Sequence, residues 1–180
     1  MVAIQLRATD DWRLEIHSLS NSAFGIPILD SRYEADVFML MPFSDEDIQH
    51  VYQDHVRNVL KSFNYTVKRG DDFFTDKSVI SDIWSAINSA KLIIADCTHR
   101  NPNVFYELGI AHAVGKPTIL ITSDIDDMPF DLRHQRFIEY QYKPRAMIDF
   151  EVKLKEAIQS LLPQPPQPHS HHKNFEDIPS

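Results

Sequence analysis

Apolar runs of strand length alternate with helical patterns at least three times between residues 36 and 122. The strand-length runs are Ala35–Pro42, Tyr65–Val67, Leu92–Ala95 and Thr118–Thr122. Between them, apolar side chains recur at helical spacing over Ile48–Phe63, over Val79–Ala90 and from Pro102 onward. Alternation of this kind is typical of a parallel sheet with helices on both faces. The sequence therefore predicts an α/β fold, a Rossmann- or flavodoxin-like three-layer sandwich with a mainly parallel five-stranded sheet.

A single domain is expected to take up most of the 180 residues. Its last strand is predicted at Phe137–Tyr142, and a closing amphipathic helix at Met147–Leu162. The α/β domain is thus predicted to span residues 35–162, after an N-terminal extension of residues 1–34. Residues 163–180 are rich in proline and histidine and have no core to join, so this tail is predicted to be disordered.

Charge and composition exclude several classes of partner. The formal net charge is −8 and no basic stripe occurs, which argues against a nucleic-acid polymer as partner. No apolar run approaches the length of a membrane span, and the N-terminus lacks a signal-peptide pattern. The single cysteine, Cys97, forms no internal disulfide and fits a reducing compartment. We therefore expect a cytoplasmic protein with no membrane partner.

Two acidic residues eleven positions apart are the strongest indication of chemistry. Asp96 ends a buried-type strand, and Glu107 lies within a helix that Asn101 can cap. Glu107 falls on the flank of an apolar stripe formed by Val104, Leu108 and Ala111. An acid in that position is costly unless it is paired or functional. The end of a strand and the first turns of the next helix meet at one mouth of an α/β sheet, so both acids are predicted to face one crevice.

Several motifs resemble the nucleoside 2-deoxyribosyltransferase-like superfamily, which includes deoxynucleoside-monophosphate N-glycosidases. The similarity is strongest to its TIR-like bacterial branch and covers roughly residues 35–142. The residues that carry it are Phe38-Met-Leu-Met-Pro-Phe43, Asp82-Ile-Trp84, Ala95-Asp-Cys-Thr98, Arg100-Asn-Pro-Asn103, Asn101-Pro-Asn-Val-Phe-Tyr-Glu-Leu-Gly109, Gly115-Lys-Pro117 and Asp131-Leu-Arg-His134.

The resemblance implies roles for three acids. Glu107 matches the glutamate that attacks the anomeric carbon of the sugar, and Asp96 matches the acid that orients the sugar or the base. Asp82 is the nearest match to the acid that helps to protonate the departing base. Residues 100–103 replace the small or glycine-rich loop with which the family's nucleotide hydrolases hold a 5′-phosphate, and they are bulkier and lack glycine.

Candidate substrate-binding residues are Pro42, Phe43, Ser44, Ser78, Asn101, Asn103, Arg133 and His134. Phe43 follows the first strand and is suited to form a wall against a base or a sugar. The two asparagine amides can bind ribose or phosphate, and they can equally be helix caps. The segment around Arg133 can be a phosphate clamp, or a surface turn that packs against the acidic loop at residues 124–127.

No cofactor and no metal site are predicted. The histidines of the tail have no carboxylate or cysteine spaced for a structural metal site, and the acidic loop lacks the pattern of a calcium loop. Signatures of a dinucleotide fold, of a phosphate-binding loop and of a serine hydrolase are absent from the sequence. The expected partner is a small nucleoside, nucleotide or NAD, and the resemblance implies a homo-oligomer.

The function predicted from these residues is cleavage of an N-glycosidic bond, or transfer of a base, on a nucleoside, nucleotide or NAD-like dinucleotide. Breaking the bond develops positive charge at the anomeric carbon and negative charge on the base. Two acids with different pKa values meet both needs, because the ionised one stabilises the positive charge and the protonated one gives a proton to the base. The resemblance adds a role in bacterial signalling or anti-phage immunity. The alternative is a nucleotide-sensing or protein-interaction module that keeps the crevice without turnover.

Overall fold

A computed structural model describes residues 24–27, 31–73 and 79–162. Five strands form one sheet in the order β2-β1-β3-β4-β5, and every neighbouring pair is parallel. The strands are β1 (Val37–Leu40), β2 (Val67–Arg69), β3 (Leu92–Asp96), β4 (Thr118–Thr122) and β5 (Phe137–Glu139). The predicted α/β class and the five-stranded parallel sheet are confirmed.

Helices connect these strands and cover both faces of the sheet. Helix α1 consists of the α-helical segments Glu46–His50 and Arg57–Ser62, joined by the π-helical segment Val51–Val56. The others are α2 (Val79–Ser89), α3 (Pro102–Ala113) and α4 (Pro144–Leu161). Apolar residues of α1 and α4 pack on one face, and those of α2 and α3 pack on the other. The predicted three-layer sandwich follows from this division.

Strand β3 contributes to both cores because its side chains alternate between the two faces of the sheet. Leu92 and Ile94 belong to the core formed with α1 and α4. Ile93 and Ala95 belong to the core formed with α2 and α3. All five residues of β3 are buried, as expected for a central strand of a parallel sheet. By the same alternation, the side chain of Asp96, the last of them, belongs to the face covered by α1 and α4.

The strand order reverses between β1 and β3. The chain leaves β1 toward β2 on one side and returns through α2 to β3 on the other. In sheets of this type the loops at the carboxyl ends of these two strands separate and leave a crevice that binds ligands. Here those loops are residues 41–45 and 97–101.

Some boundaries differ from the prediction for identifiable reasons. Asp45 caps α1, because its Oδ1 accepts the backbone N–H of Ile48 at 3.0 Å. Strand β5 ends at Glu139 instead of Tyr142, and the Tyr140 side chain turns into the core. Helix α4 begins at Pro144, three residues before the predicted start, because proline is favourable in a first helical turn.

Residues before the predicted domain boundary at 35 also join the core. Tyr33 is buried beside α2. The ring of Phe24 lies 5.3 Å from that of Trp84, and the Trp84 Nε1–H donates to the Gly25 carbonyl at 3.0 Å. Ser78 and the tail at residues 163–180 lie outside the described residues. Within the described ranges, no helix is long and apolar enough to cross a bilayer.

Candidate active site

Glu107 lies in the second turn of α3, at the carboxyl edge of the sheet. Its flank of the helix also carries Ile110 and Val114, which line a groove with Trp84 of α2. Helix α3 packs against α2 and lies over β1 and β3. Glu107 therefore faces the α2 side of α3, close to the point where the strand order reverses.

The Glu107 carboxyl is half-buried and makes no hydrogen bond or ion pair with any residue that the structure describes. Burial disfavours the charged form and raises the pKa of this carboxyl to about 7. An acid that titrates near neutrality, with no partner in the described part of the chain, is the pattern expected of a functional carboxylate.

Asp96 is held in a closed hydrogen-bond network. The Tyr140 hydroxyl donates to Asp96 Oδ2 at 2.8 Å, and the backbone N–H of Thr98 donates to Oδ1 at 3.0 Å. Thr98 Oγ1 lies 3.2 Å from the Tyr140 hydroxyl and accepts the N–H of Ser123 at 2.9 Å. The network joins the ends of β3, β4 and β5. It fixes the start of the loop that follows β3.

The structure does not expose Asp96 to the crevice. Asp96 is 0% exposed, and its partner Tyr140 belongs to the core on the α1 and α4 face. Glu107 lies on α3, which covers the opposite face. The prediction that Asp96 faces the crevice was wrong, because its carboxyl is fully buried and bonded to Tyr140 and Thr98. Asp96 therefore holds the start of the loop in place through these hydrogen bonds.

The stability of the protein is expected to depend on pH through Asp96. Desolvation raises the pKa of its carboxyl to about 6, from 3.8 when solvated. A raised folded-state pKa contributes stability that is present below about pH 4 and is lost as the pH rises through about 6. Relative to Asp96→Asn, which cannot ionise, the wild type should lose about 2–3 kcal/mol of unfolding free energy between pH 4 and pH 7.5.

Urea unfolding of both proteins at several pH values measures this difference. The amide oxygen of the variant still accepts the Thr98 N–H, so this hydrogen bond of the network is kept. Asp149→Asn, an exposed change on α4, is the control and should show no such trend. A gap between wild type and Asp96→Asn that stays constant across this range would contradict the prediction.

Asp82 is the acid that shares a sheet face with Glu107. It lies in the first turn of α2, and both helices begin at the carboxyl edge of the sheet. Asp82 is only 5% exposed, and its Oδ1 accepts a hydrogen bond from the Tyr33 hydroxyl at 2.5 Å. A carboxylate that accepts this bond is suited to hold Tyr33 and the start of α2 in place. This arrangement does not favour the role of proton donor that the resemblance implied.

The loop after β3 has a strained backbone. His99 and Arg100 are consecutive non-glycine residues with positive φ, at 63° and 52°. Such conformations cost free energy and persist only where surrounding contacts impose them. The His99 N–H donates to Asp127 Oδ2 at 2.7 Å, and the Arg100 guanidinium donates to the Asp126 carbonyl and lies 3.9 Å from Asp127 Oδ1. The loop is thus tied to the segment after β4.

The loop after β1 forms the other side of the crevice. Pro42 is buried, and Ser44 is exposed. The ring of Phe43 is 51% exposed, with the guanidinium carbon of Arg69 5.3 Å from its centre. A Cβ added at Gly70 would lie 3.2 Å from Ile83 Cδ1, which is a tight contact, and 3.6 Å from Phe43 Cζ, which is an ordinary one. Of the three candidates in this loop, Pro42, Phe43 and Ser44, it is Phe43 that presents an exposed ring.

Two of the other binding candidates, Asn101 and Arg133, have structural roles. Asn101 Oδ1 accepts the N–H of Asn103 at 2.9 Å, so Asn101 is the cap of α3, while Asn103 is exposed. Arg133 donates to the Met128 carbonyl at 3.0 Å and lies 3.3 Å from Asp126 Oδ1. These contacts match a surface turn that packs against the acidic loop, and not a phosphate clamp. His134 is exposed on the same turn.

Comparison with known proteins identifies the fold. Neither a protein-family model nor a curated protein matches the sequence. Among solved structures, the chain is similar to the TIR domain of the Toll-related receptor TRR-2 from Hydra magnipapillata, with a TM-score of 0.56 and 17% identity. The match covers 69% of this chain and 98% of that one. The chain has a TIR-like fold.

At 17% identity, the similarity shows the fold and does not assign roles to individual residues. The TIR-like branch is consistent with this fold, whereas the nucleoside 2-deoxyribosyltransferase-like assignment stays a prediction. The roles of individual residues in the TIR-like chain therefore depend on its own geometry.

Sequence reasoning missed one contact across the crevice. His99 Nε2 lies 2.8 Å from Asp45 Oδ2, and this pair joins the loop after β3 to the loop after β1. Both residues looked isolated because 54 positions separate them. The only local signal was their position directly after strand ends, which is where α/β proteins collect functional residues.

Proposed function

We propose that this protein cleaves the N-glycosidic bond of a small nucleoside, nucleotide or NAD-like dinucleotide, with Glu107 as the nucleophile. One observation carries the proposal. Glu107 is half-buried at the carboxyl edge of the sheet, has no partner among the described residues, and has a pKa raised to about 7. A half-buried charge without a partner destabilises a fold, and such groups are found most often at functional sites.

The carboxylate fits the charge that develops in this reaction. As the C–N bond breaks, the anomeric carbon gains oxocarbenium character, which a nearby carboxylate stabilises or captures covalently. Burial of Glu107 lowers the local dielectric and strengthens its attraction for that positive charge. Water as the acceptor gives hydrolysis, and a second base gives transfer.

Other features support a ligand site at this crevice. The reversal of strand order lies between β1 and β3. The network of Asp96, Thr98 and Tyr140 and the strained conformations at His99 and Arg100 hold one wall of the crevice in a defined shape. Phe43 presents an exposed aromatic ring on the other wall, suited to stack on a base.

Purified protein incubated with deoxynucleotides, ribonucleotides and NAD tests the proposal, with released base measured by chromatography. At least one substrate should lose its base. Below pH 7 the rate should rise about tenfold per pH unit, because the nucleophile is the ionised form of a group with a pKa of about 7. Absence of base release from the whole panel would contradict the proposal.

A second candidate function is protein interaction or nucleotide sensing without turnover. The observation that favours it is the fold, because a TIR-like fold fits signalling roles as well as NAD cleavage, and the similar solved domain belongs to a receptor. The same assay separates the two candidates. Nucleotide binding without base release, detected by calorimetry, is the result expected of a sensing module.

A further inference from the structure

The pair of His99 and Asp45 spans the mouth of the crevice. Asp45 belongs to the loop after β1 and His99 to the loop after β3, the two strands between which the strand order reverses. His99 Nε2 lies 2.8 Å from Asp45 Oδ2, while 62% of the His99 side chain is open to solvent. With Nε2 engaged, Nδ1 is the ring nitrogen that remains available to a ligand in the crevice.

Both members of the pair are held in place from the backbone. Asp45 caps α1 through its other oxygen, Oδ1, which accepts the N–H of Ile48. His99 is kept in the left-handed region by the bond from its N–H to Asp127. The preceding residue, Thr98, is anchored to Asp96 and Tyr140. An exposed imidazole that is already fixed at both its backbone and its ring has little conformational freedom left to lose when a ligand binds.

The proposed reaction requires a proton donor that the three acids do not supply. Glu107 acts in its ionised form, and Asp96 has no exposed surface. Asp82 is buried and accepts a hydrogen bond from Tyr33 on the same sheet face as Glu107. A donor to the departing base is better placed across the crevice from the nucleophile, so that the sugar lies between the two groups.

We propose that His99, oriented by Asp45, is the general acid that protonates the departing base. This inference rests on the proposed function and deepens it. It also defines the substrate class, because a proton donor is needed only where the base would otherwise leave as an anion. The site is therefore built for nucleosides or nucleotides with neutral bases. A cationic base, such as the pyridinium of NAD, leaves as a neutral molecule and needs no proton.

The proton and electron balance closes over two steps. In the first, the C–N bond breaks with its electron pair passing to the base, the His99 imidazolium gives a proton to the base, and the Glu107 carboxylate bonds to the anomeric carbon. In the second, water attacks that carbon and releases the Glu107 carboxylate, while the neutral imidazole takes the proton of the water. The products are the free base and the free sugar, and both residues return to their initial forms.

Several charged groups surround the imidazole. Asp45 bonds to the ring, and Asp127 accepts the His99 backbone N–H. Arg100 is the adjacent residue, and its guanidinium is directed to Asp126 and Asp127. Buried Asp96 also lies within electrostatic range of His99.

The test compares His99→Asn with the wild type on two matched substrates, a purine nucleotide from the assay panel and its N7-methylated counterpart. Asparagine is tolerated in the left-handed region, so the loop keeps its backbone. N7-methylation makes the purine cationic, so it departs without a proton. In single turnovers, His99→Asn should lower release of the normal purine by about 100-fold or more, and that of the methylated purine by about threefold or less.

His50→Asn, which removes an exposed imidazole on α1, is the matched control and should leave both rates within about twofold. Equal losses on the two substrates would show that His99 only shapes the loop, and a loss below about threefold on the normal purine would also overturn the inference. A wild type that cleaves NAD but no nucleotide with a neutral base would overturn the inference and keep the proposed function. A wild type without activity on any substrate would remove both.

Asp45→Asn gives a second readout that a structural role would not move. The amide keeps the helix cap but removes the carboxylate that orients the His99 ring. Release of the normal purine should therefore fall in Asp45→Asn, while release of the methylated purine, which needs no proton, should not. Equal losses on the two substrates would overturn the role given to Asp45.

Discussion

Glu107→Gln is expected to lower base release by about 10³-fold or more while the protein remains folded. The amide has almost the same shape as the carboxylate but neither its charge nor its nucleophilic oxygen. It can therefore neither stabilise the oxocarbenium ion nor bond to the anomeric carbon. Chromatography of the released base in single turnovers measures the loss directly.

The same substitution should not destabilise the fold. Burial raises the pKa of Glu107 to about 7, so above pH 7 the wild type carries a charge that its surroundings disfavour. The folded state gains stability from this group below its unfolded pKa and loses it as the pH rises through about 7. At pH 8, Glu107→Gln should therefore unfold in urea at the same concentration as the wild type or at a higher one.

Glu156→Gln is the matched control, since it makes the same chemical change at an exposed position of α4. It should leave both base release and stability unchanged. Base release that is undiminished in Glu107→Gln would remove the assignment of the nucleophile. Loss of activity together with a large loss of stability would show instead that Glu107 supports the fold.

Trp84→Ala is expected to destabilise the protein by about 3–5 kcal/mol. Trp84 is 0% exposed and belongs to the core that α2 and α3 form with the sheet. Its ring contacts Phe24, and its Nε1–H is bonded to the Gly25 carbonyl. Truncation to alanine leaves a cavity and an unpaired carbonyl, both of which cost free energy.

Trp84→Phe separates these contributions. Phenylalanine fills most of the space but cannot donate to Gly25, so we expect a loss of about 1–2 kcal/mol. Urea unfolding followed by circular dichroism measures both variants. If Trp84→Ala cost less than about 1 kcal/mol, the packing of Phe24 and Gly25 onto the domain would be in doubt.

The fold was predictable because its signals are local. Strand-length apolar runs such as Leu92–Ala95 and the helical spacing of Val104, Leu108 and Ala111 follow from the periods of the two regular structures, and the structure buries these residues as expected. The parallel sheet then follows from the alternation of strands and helices, since parallel strands need a crossover between them. The half-buried position of Glu107 was visible by the same spacing.

The relations within the site were not predictable in this way. The contact of Asp45 with His99, and the contact of Asp96 with Tyr140, join residues 54 and 44 positions apart, and no local period connects them. The positive φ angles of His99 and Arg100 arise from contacts with the segment after β4, which their own residue types do not require. Asp82 shares a face with Glu107 because two different helices cover that face.

The sequence by itself determined the α/β class, the positions of the main helices and strands, and the half-buried acid on α3, because each depends on side-chain periodicity over a few residues. Only the tertiary structure decided which acids share a face and that His99 and Asp45 meet across the crevice. These relations depend on the order and orientation of the strands in the sheet. That order is a property of the whole packed chain, since it is set by which faces the helices must bury together.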